Sequence, residues 1–289
     1  MSADGSTQSD TFDVGGDLTV RRLGFGAMRL TGEDIIGPPE DEDEARRVIR
    51  RAVELGVDFF DTADSYGPGV SERLLGEELD ADDDVVVASK AGLLRHRDGE
   101  WPRRGDPEYL HNQVLCSLDR LRVDTIDLYQ YHRPDPDRPF EDAVHAFAEM
   151  KDAGQVRHVG LSNVSVEQLE TAREIVDVAT VQNRYNVGNR EEERVLEACE
   201  EYDVGFIPWG PLYTVGDEDV APVLDQVADA HDATRHQVAL AFLLAHSDVT
   251  LPIPGTADVD HLESNVAASE IDLTGDELAR LREIDGPRR

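Results

Sequence analysis

Lysine is almost missing from this chain. Only Lys90 and Lys151 occur among the 28 basic residues of its 289, and the rest are arginines. Basic side chains of either kind are outnumbered by 62 acidic ones, for a formal net charge of −34. Nucleic-acid binding rests on clustered Lys and Arg, and no basic patch stands out, so that class is set aside. The same charge argues against anionic membranes. An acidic, lysine-poor surface suits concentrated salt: at roughly 1 M the screening length is about 3 Å, and self-repulsion becomes tolerable. The source is expected to be a salt-accumulating halophile. A GC-rich genome would explain arginine in place of lysine but not the acidic excess.

Cysteine is equally scarce. Cys116 and Cys199 fall inside predicted helices without close spacing, which implies no disulfide framework and a reducing compartment. Residues 1–10 are polar, lack the apolar core of a signal peptide, and are expected to be a disordered lead. No apolar run is long enough to cross a membrane, so a cytoplasmic protein is expected. Aromatics make up only 6% of the chain. The apolar positions are nevertheless periodic, which separates it from a disordered acidic protein.

That periodicity alternates strand and helix. Phe12 to Val20, with Gly15-Gly16 at its centre, predicts a hairpin that could plug the bottom of a barrel. Eight candidate strands follow: 21–26, 57–60, 85–89, 126–131, 156–161, 180–182, 204–207 and 249–253. Helices are predicted over 43–55, 71–79, 107–121, 140–152, 166–176, 191–202, 220–229, 235–245, 259–268 and 274–284. Ser71, Asp106 with Pro107, Thr274 and Gly286 are their expected punctuation. The pattern predicts a single (β/α)8 barrel over residues 11–289, with extra helices after strand seven and at the C-terminus. Gly24-Phe25-Gly26 is no dinucleotide fingerprint, because no third glycine or helix follows.

The chemistry gathers at strand ends. Strand two runs into Asp61-Thr62-Ala63-Asp64-Ser65-Tyr66-Gly67, strand three ends on Lys90, and strand four ends on His132. In a parallel barrel this edge carries the active site. Lone tyrosines and histidines at such places are often structural. Lys90 is different, since a chain that has nearly eliminated lysine keeps one where a compact ammonium with a movable pKa is useful. Lys151 is the contrast, in a helix's last turn where charge on the dipole suffices. The four residues fit a carbonyl reductase. Tyr66 would donate the proton, Lys90 would lower its pKa, Asp61 would hold Lys90, and His132 would orient the carbonyl oxygen. A metal-dependent barrel hydrolase is disfavoured: no His-x-His follows strand one, and His231 and His236 are five apart and share no predicted helix.

Over nearly its whole length the chain resembles the aldo-keto reductases. The residues that carry the resemblance are 61–67, Lys90, 117–121 leading into 127–132, Gly160 to Asn163, Val181 to Asn183, Trp209 to Leu212, Ile253 to Thr256 and His261 to Asn265. It implies a barrel that binds NADP(H), with NAD(H) as the other option, and no Rossmann domain. It assigns Asp61, Tyr66, Lys90 and His132 to catalysis. Ser162, Asn163 and Gln182 would meet the nicotinamide carboxamide, and Trp209 would stack on the ring. Gly210, Pro211 and Leu212 would approach the pyrophosphate, Gly255 and Thr256 the 2′-phosphate, and Asn265 the adenine. Gly26, Ala27, Met28, Asp61, Ile253, His261 and Ser264 complete the implied cofactor contacts. Many members have lysine at the Gly255 position and arginine at the His261 position, so the phosphate grip departs from the pattern. Met28, Tyr66, Trp101 and His132 would frame the substrate pocket. Arg133 stands where some members place tryptophan.

Residues 67–72 and 182–186 look like the branch containing pyridoxal reductases. With little chain after the last helix, an open pocket for small aldehydes and ketones is expected, in a monomer with a small-molecule carbonyl as its partner. The competing expectation is a regulatory protein on the same barrel, similar to channel-associated β subunits.

Overall fold

The structure, a computed structural model, describes residues 10–80 and 84–284. Strands β1 (Thr11–Val14) and β2 (Leu18–Arg21) form the expected antiparallel hairpin, turned through Gly15 and Gly16 at positive φ. Seven parallel strands then lie side by side in sequence order: β3 (Phe25–Gly26), β4 (Phe59–Asp61), β5 (Val86–Ala91), β6 (Ile126–Tyr131), β7 (Val156–Ser162), β8 (Val178–Arg184) and β9 (Gly205–Trp209).

The eighth barrel position was expected as a strand over 249–253. Instead it is a single parallel bridge, Phe206 with Thr250. The segment still closes the barrel. Toward β9, Phe206 N–H donates to Val249 O and Leu251 N–H to Phe206 O, both at 2.8 Å. Toward β3, Gly24 N–H donates to Pro252 O at 3.0 Å and Gly26 N–H to Pro254 O at 3.3 Å. Pro252 and Pro254 have no N–H to return, so a regular ladder cannot form. A Cβ on Gly26 would meet Ile253 O at 2.7 Å, and glycine is what lets the two edges meet.

The barrel is lined by α1 (Glu42–Glu54), α2 (Val70–Glu78), α3 (Pro107–Leu121), α4 (Phe140–Asp152), α5 (Val166–Arg173), α6 (Glu193–Tyr202), α7 (Ala221–His231), α8 (Arg235–His246), α9 (Val259–Val266) and α10 (Gly275–Arg282). As read from the sequence, α7 and α10 are the additions to the repeating unit. The hairpin residues Val14 and Val20 pack with Phe59, Val86, Leu128, Ile207 and Leu251 inside the barrel, closing its lower end with apolar surface. A larger apolar layer lies between strands and helices. Asp106 caps α3 by accepting from Tyr109 N–H, with Pro107 at its first turn. Thr274 caps α10 with a reciprocal box to Glu277, while Gly286 and most of the 1–10 lead lie outside the described residues.

Ser71 does not cap α2 as expected. Gly69, at φ 79°, takes that place. A Cβ there would meet the Arg120 side chain at 2.7 Å. The Ser71 hydroxyl turns inward instead and donates to Ala27 O at 3.1 Å.

Candidate active site

Asp61 ends β4, Lys90 lies near the end of β5, and His132 follows β6, so adjacent strands deliver three of the four expected residues to one rim. Tyr66 comes from the loop between β4 and α2. That loop is fastened by Asp64 N–H to Lys90 O at 3.1 Å and Gly69 N–H to Asp64 O at 2.7 Å.

Lys90 is fully buried. Its Nζ donates to Asp61 Oδ1 at 2.5 Å and to Thr62 O at 2.8 Å. Burial pulls the Lys90 pKa down while Asp61 supports the charge. The other carboxylate oxygen, Asp61 Oδ2, accepts from Gln182 Nε2 at 2.8 Å and Gln130 Nε2 at 3.2 Å. Gln130 pairs with Lys90 in the β5–β6 register, which brings its amide to Lys90's partner. The carboxylate is thus held by one ammonium and two amides, the kind of saturation a buried charge requires.

The Lys90 ammonium sits 5.2 Å from the centroid of the Tyr66 ring. Tyr66 and His132 meet edge to face with centroids 5.9 Å apart. Burial, then Asp61, raises the Tyr66 pKa well above the ordinary phenol value, and the cation that favours its phenolate is Arg133. Lys90, expected to lower this pKa, has its ammonium engaged by Asp61 and a backbone carbonyl, and burial sets the direction of the shift. His132 moves the opposite way. Burial, then Lys90 and Arg133, holds its pKa well below 6.5, so the imidazole is neutral. Its Nδ1 lies 3.5 Å from Ser65 Oγ.

Asp61, Tyr66 and His132 face a cleft of ≈ 560 Å³. Of the sequence-predicted residues, Gly26, Met28, Asp61, Tyr66, Trp101, His132, Asn163, Gln182, Trp209, Gly210, Pro211, Leu212, Ile253 and Gly255 line it. The four expected substrate residues are all among them. Lys90 lies behind the lining, fully buried. Ala27, Ser162, Thr256, His261, Ser264 and Asn265 do not line it either. Ala27 is buried, and the Ser162 hydroxyl donates to Gln182 O at 2.8 Å. Thr256 Oγ1 accepts from Asp258 N–H at 3.1 Å, and His261, Ser264 and Asn265 lie on α9 beyond the rim.

Two expected carboxamide ligands are already engaged. Gln182 spends its NH2 on Asp61 and keeps its carbonyl oxygen. Asn163 donates to His132 O at 3.1 Å and to Ser162 Oγ at 2.8 Å. Its Oδ1 accepts from Trp209 Nε1 and Arg133 Nη2, both at 3.1 Å. These bonds fix the indole and the guanidinium against one amide.

Sequence reasoning missed Arg29, Ile35, Leu93, Tyr213, His236 and Pro254 on the cleft wall, and Gln130 behind it. A polar residue inside an apolar strand run was the available signal for Gln130. Arg133 was noticed only as the absence of tryptophan.

Comparison with known proteins agrees with this geometry. The aldo/keto reductase family model matches residues 22–286. An uncharacterized oxidoreductase of Schizosaccharomyces pombe is 45% identical over 282 residues, covering 98% of this chain and 92% of that protein. The pyridoxine 4-dehydrogenase of Escherichia coli is 37% identical over 280 residues, covering 94% and 97%. Among solved structures, a glycerol dehydrogenase from Gluconobacter oxydans superposes with a TM-score of 0.84 at 25% identity, covering 95% of this chain and 94% of that one. An aldo-keto reductase from Klebsiella pneumoniae in complex with NADPH superposes with a TM-score of 0.78 at 26% identity, covering 97% and 96%. The chain belongs to the aldo/keto reductase family.

Proposed function

We propose that this member of the family is an NADP(H)-dependent carbonyl reductase, reducing aldehydes and ketones to alcohols, with a pyridoxal-like aldehyde among its substrates. The observation that carries the reading is the buried Lys90–Asp61 ion pair at 2.5 Å, placed beside Tyr66 and His132 on one cleft. The 37% identity to a pyridoxine 4-dehydrogenase supports the substrate suggestion.

The cleft fits a dinucleotide. Trp209 offers a half-buried aromatic plane, Gly210 and Gly255 offer backbone without side chains, and Arg29 beside Gly255 offers a cation where lysine is missing. NADP(H) bound there supplies the hydride. The chain's own part is proton transfer and orientation. Neutral His132 hydrogen-bonds the carbonyl oxygen and fixes its direction. Tyr66 keeps its proton across the physiological range and gives it to the forming alkoxide, a stronger base than a phenolate, so the transfer runs downhill. Asp61 keeps Lys90 charged at the back of the site, and that charge favours the phenolate left behind.

The composition supports a salt-rich working environment, so the test belongs in high-salt buffer. Titration of NADPH and NADH, followed by tryptophan quenching, is expected to show tighter binding of NADPH, and a carbonyl panel is expected to consume it. Folded protein that binds neither nucleotide overturns the reading.

A further inference from the structure

Every charged side chain facing the cleft has an evident counter-charge or flanks Gly255, with one exception. Asp61 is paired with Lys90, and Arg29 lies against Gly255. Arg133 is half-buried directly after His132 and has no carboxylate partner among the described residues. Its Nη2 donates to Asn163 Oδ1 at 3.1 Å, while its Nε is buried with no partner. The titratable neighbours that act on it are Arg103, which repels it, and the Tyr66 phenol. A desolvated guanidinium with a vacant donor and no anion is costly. In a chain with 62 acidic residues, one of them could have neutralised it. None does, at the one place where a substrate's own charge would lie beside the reacting oxygen.

We propose that Arg133 is a specificity residue that binds an anionic oxygen group, carboxylate or phosphate, on the carbonyl substrate. The inference rests on the reductase reading. Arg133 follows His132 in the chain, interacts electrostatically with Tyr66 and lines the same cleft. The guanidinium lines the cleft, and its planar array of donors suits a carboxylate or phosphate edge. Asn163 restrains the far nitrogen, so the guanidinium is oriented before the substrate arrives.

The test is steady-state reduction at saturating NADPH with matched pairs: 4-carboxybenzaldehyde against its methyl ester, and glyceraldehyde 3-phosphate against glyceraldehyde. The wild type is expected to favour at least one charged partner by roughly tenfold to a hundredfold in kcat/KM, as a charge-assisted hydrogen bond would give. The pair that shows it identifies carboxylate or phosphate as the group read. Arg133→Gln is expected to bring that ratio close to one while leaving the Kd for NADPH within about threefold. A charged-to-neutral ratio equal in wild type and variant overturns the inference, whatever loss the two partners share. So does a large rise in the NADPH Kd, which would make Arg133 a cofactor residue. If Arg133→Gln does not fold, wild-type inhibition by benzoate against benzamide replaces it, and equal inhibition overturns the inference. Failure of every carbonyl, neutral ones included, would instead sink the reductase reading.

Discussion

Two buried acidic clusters are built around Asp61, at the end of β4, and Asp64, three residues on, and they are balanced differently. In front, Asp61 meets one ammonium and two amides, and both of its oxygens are engaged. Behind, Asp64 and the fully buried Glu72 share one guanidinium. Arg120 Nε reaches Glu72 at 2.6 Å, and Ser89 Oγ donates to the same carboxylate at 2.5 Å. Asp64 receives Tyr109 OH at 3.2 Å on one oxygen, and the other oxygen is buried without a partner. Burial, reinforced by Glu72, pushes the Asp64 pKa up to about 8. One carboxylate with one ammonium holds its charge, whereas two carboxylates with one guanidinium hold a proton. The surplus acid is thus neutralised by protonation at the back, and the charge needed for chemistry is kept at the front.

The largest effects should come from the front. Tyr66→Phe removes the proton donor and should cut kcat by roughly 10²- to 10⁴-fold with NADPH binding retained, measured by steady-state kinetics beside fluorescence titration. Lys90→Met should be inactive and also unstable by about 3–5 kcal/mol, because Asp61 is left charged and unpaired. Adding Asp61→Asn to Lys90→Met should restore most of that stability in denaturant melts without restoring activity. If the double variant is as unstable as the single one, the pair is structural and the contrast with the rear cluster fails.

The rear cluster should matter through pH. Unfolded Asp64 releases its proton near 3.8, whereas the folded form keeps it to about 8. Between those values the folded state binds more protons, so this group makes stability fall as pH rises, by at most about 1.4 kcal/mol per unit. Asp64→Asn should flatten that slope. It should melt close to wild type at pH 4 and clearly above it at pH 9. Equal melting shifts at both pH values would mean that Asp64 carries no proton in the folded state.

Much of this was readable in the chain. The strand 126–131 and the helices 107–121 and 140–152 agree with expectation to the residue, because their apolar periods are clear and, at 107–121, cap and proline coincide with the period. Lys90 stood out because the composition makes any lysine conspicuous. The eighth strand was placed correctly, and only its regularity was overestimated, because Pro252 and Pro254 supply no N–H for a full ladder. Ser71 was misjudged because a cap preference is local, while its hydroxyl is claimed by Ala27 from another element. The direction of the Tyr66 shift was out of reach. Sequence names the lysine beside a tyrosine, but only geometry shows that Asp61 engages it first and that burial dominates.

The smallest expected effect tests whether the two clusters act independently. Depressed His132 and elevated Tyr66 both keep their reactive forms from about pH 6.5 to 9, so kcat/KM for reduction should be nearly flat there. Asp64, pushed up to about 8, titrates inside this window, and its charge is among those that raise the Tyr66 pKa. Its ionisation makes the phenol a weaker acid, so the rate should step down by roughly twofold to threefold as pH rises through 8 and stay lower above it. The step should vanish in Asp64→Asn, which has nothing to ionise there. A step that persists in Asp64→Asn must come from the front residues themselves, and the proposed roles of Tyr66 and His132 would then have to be exchanged or revised.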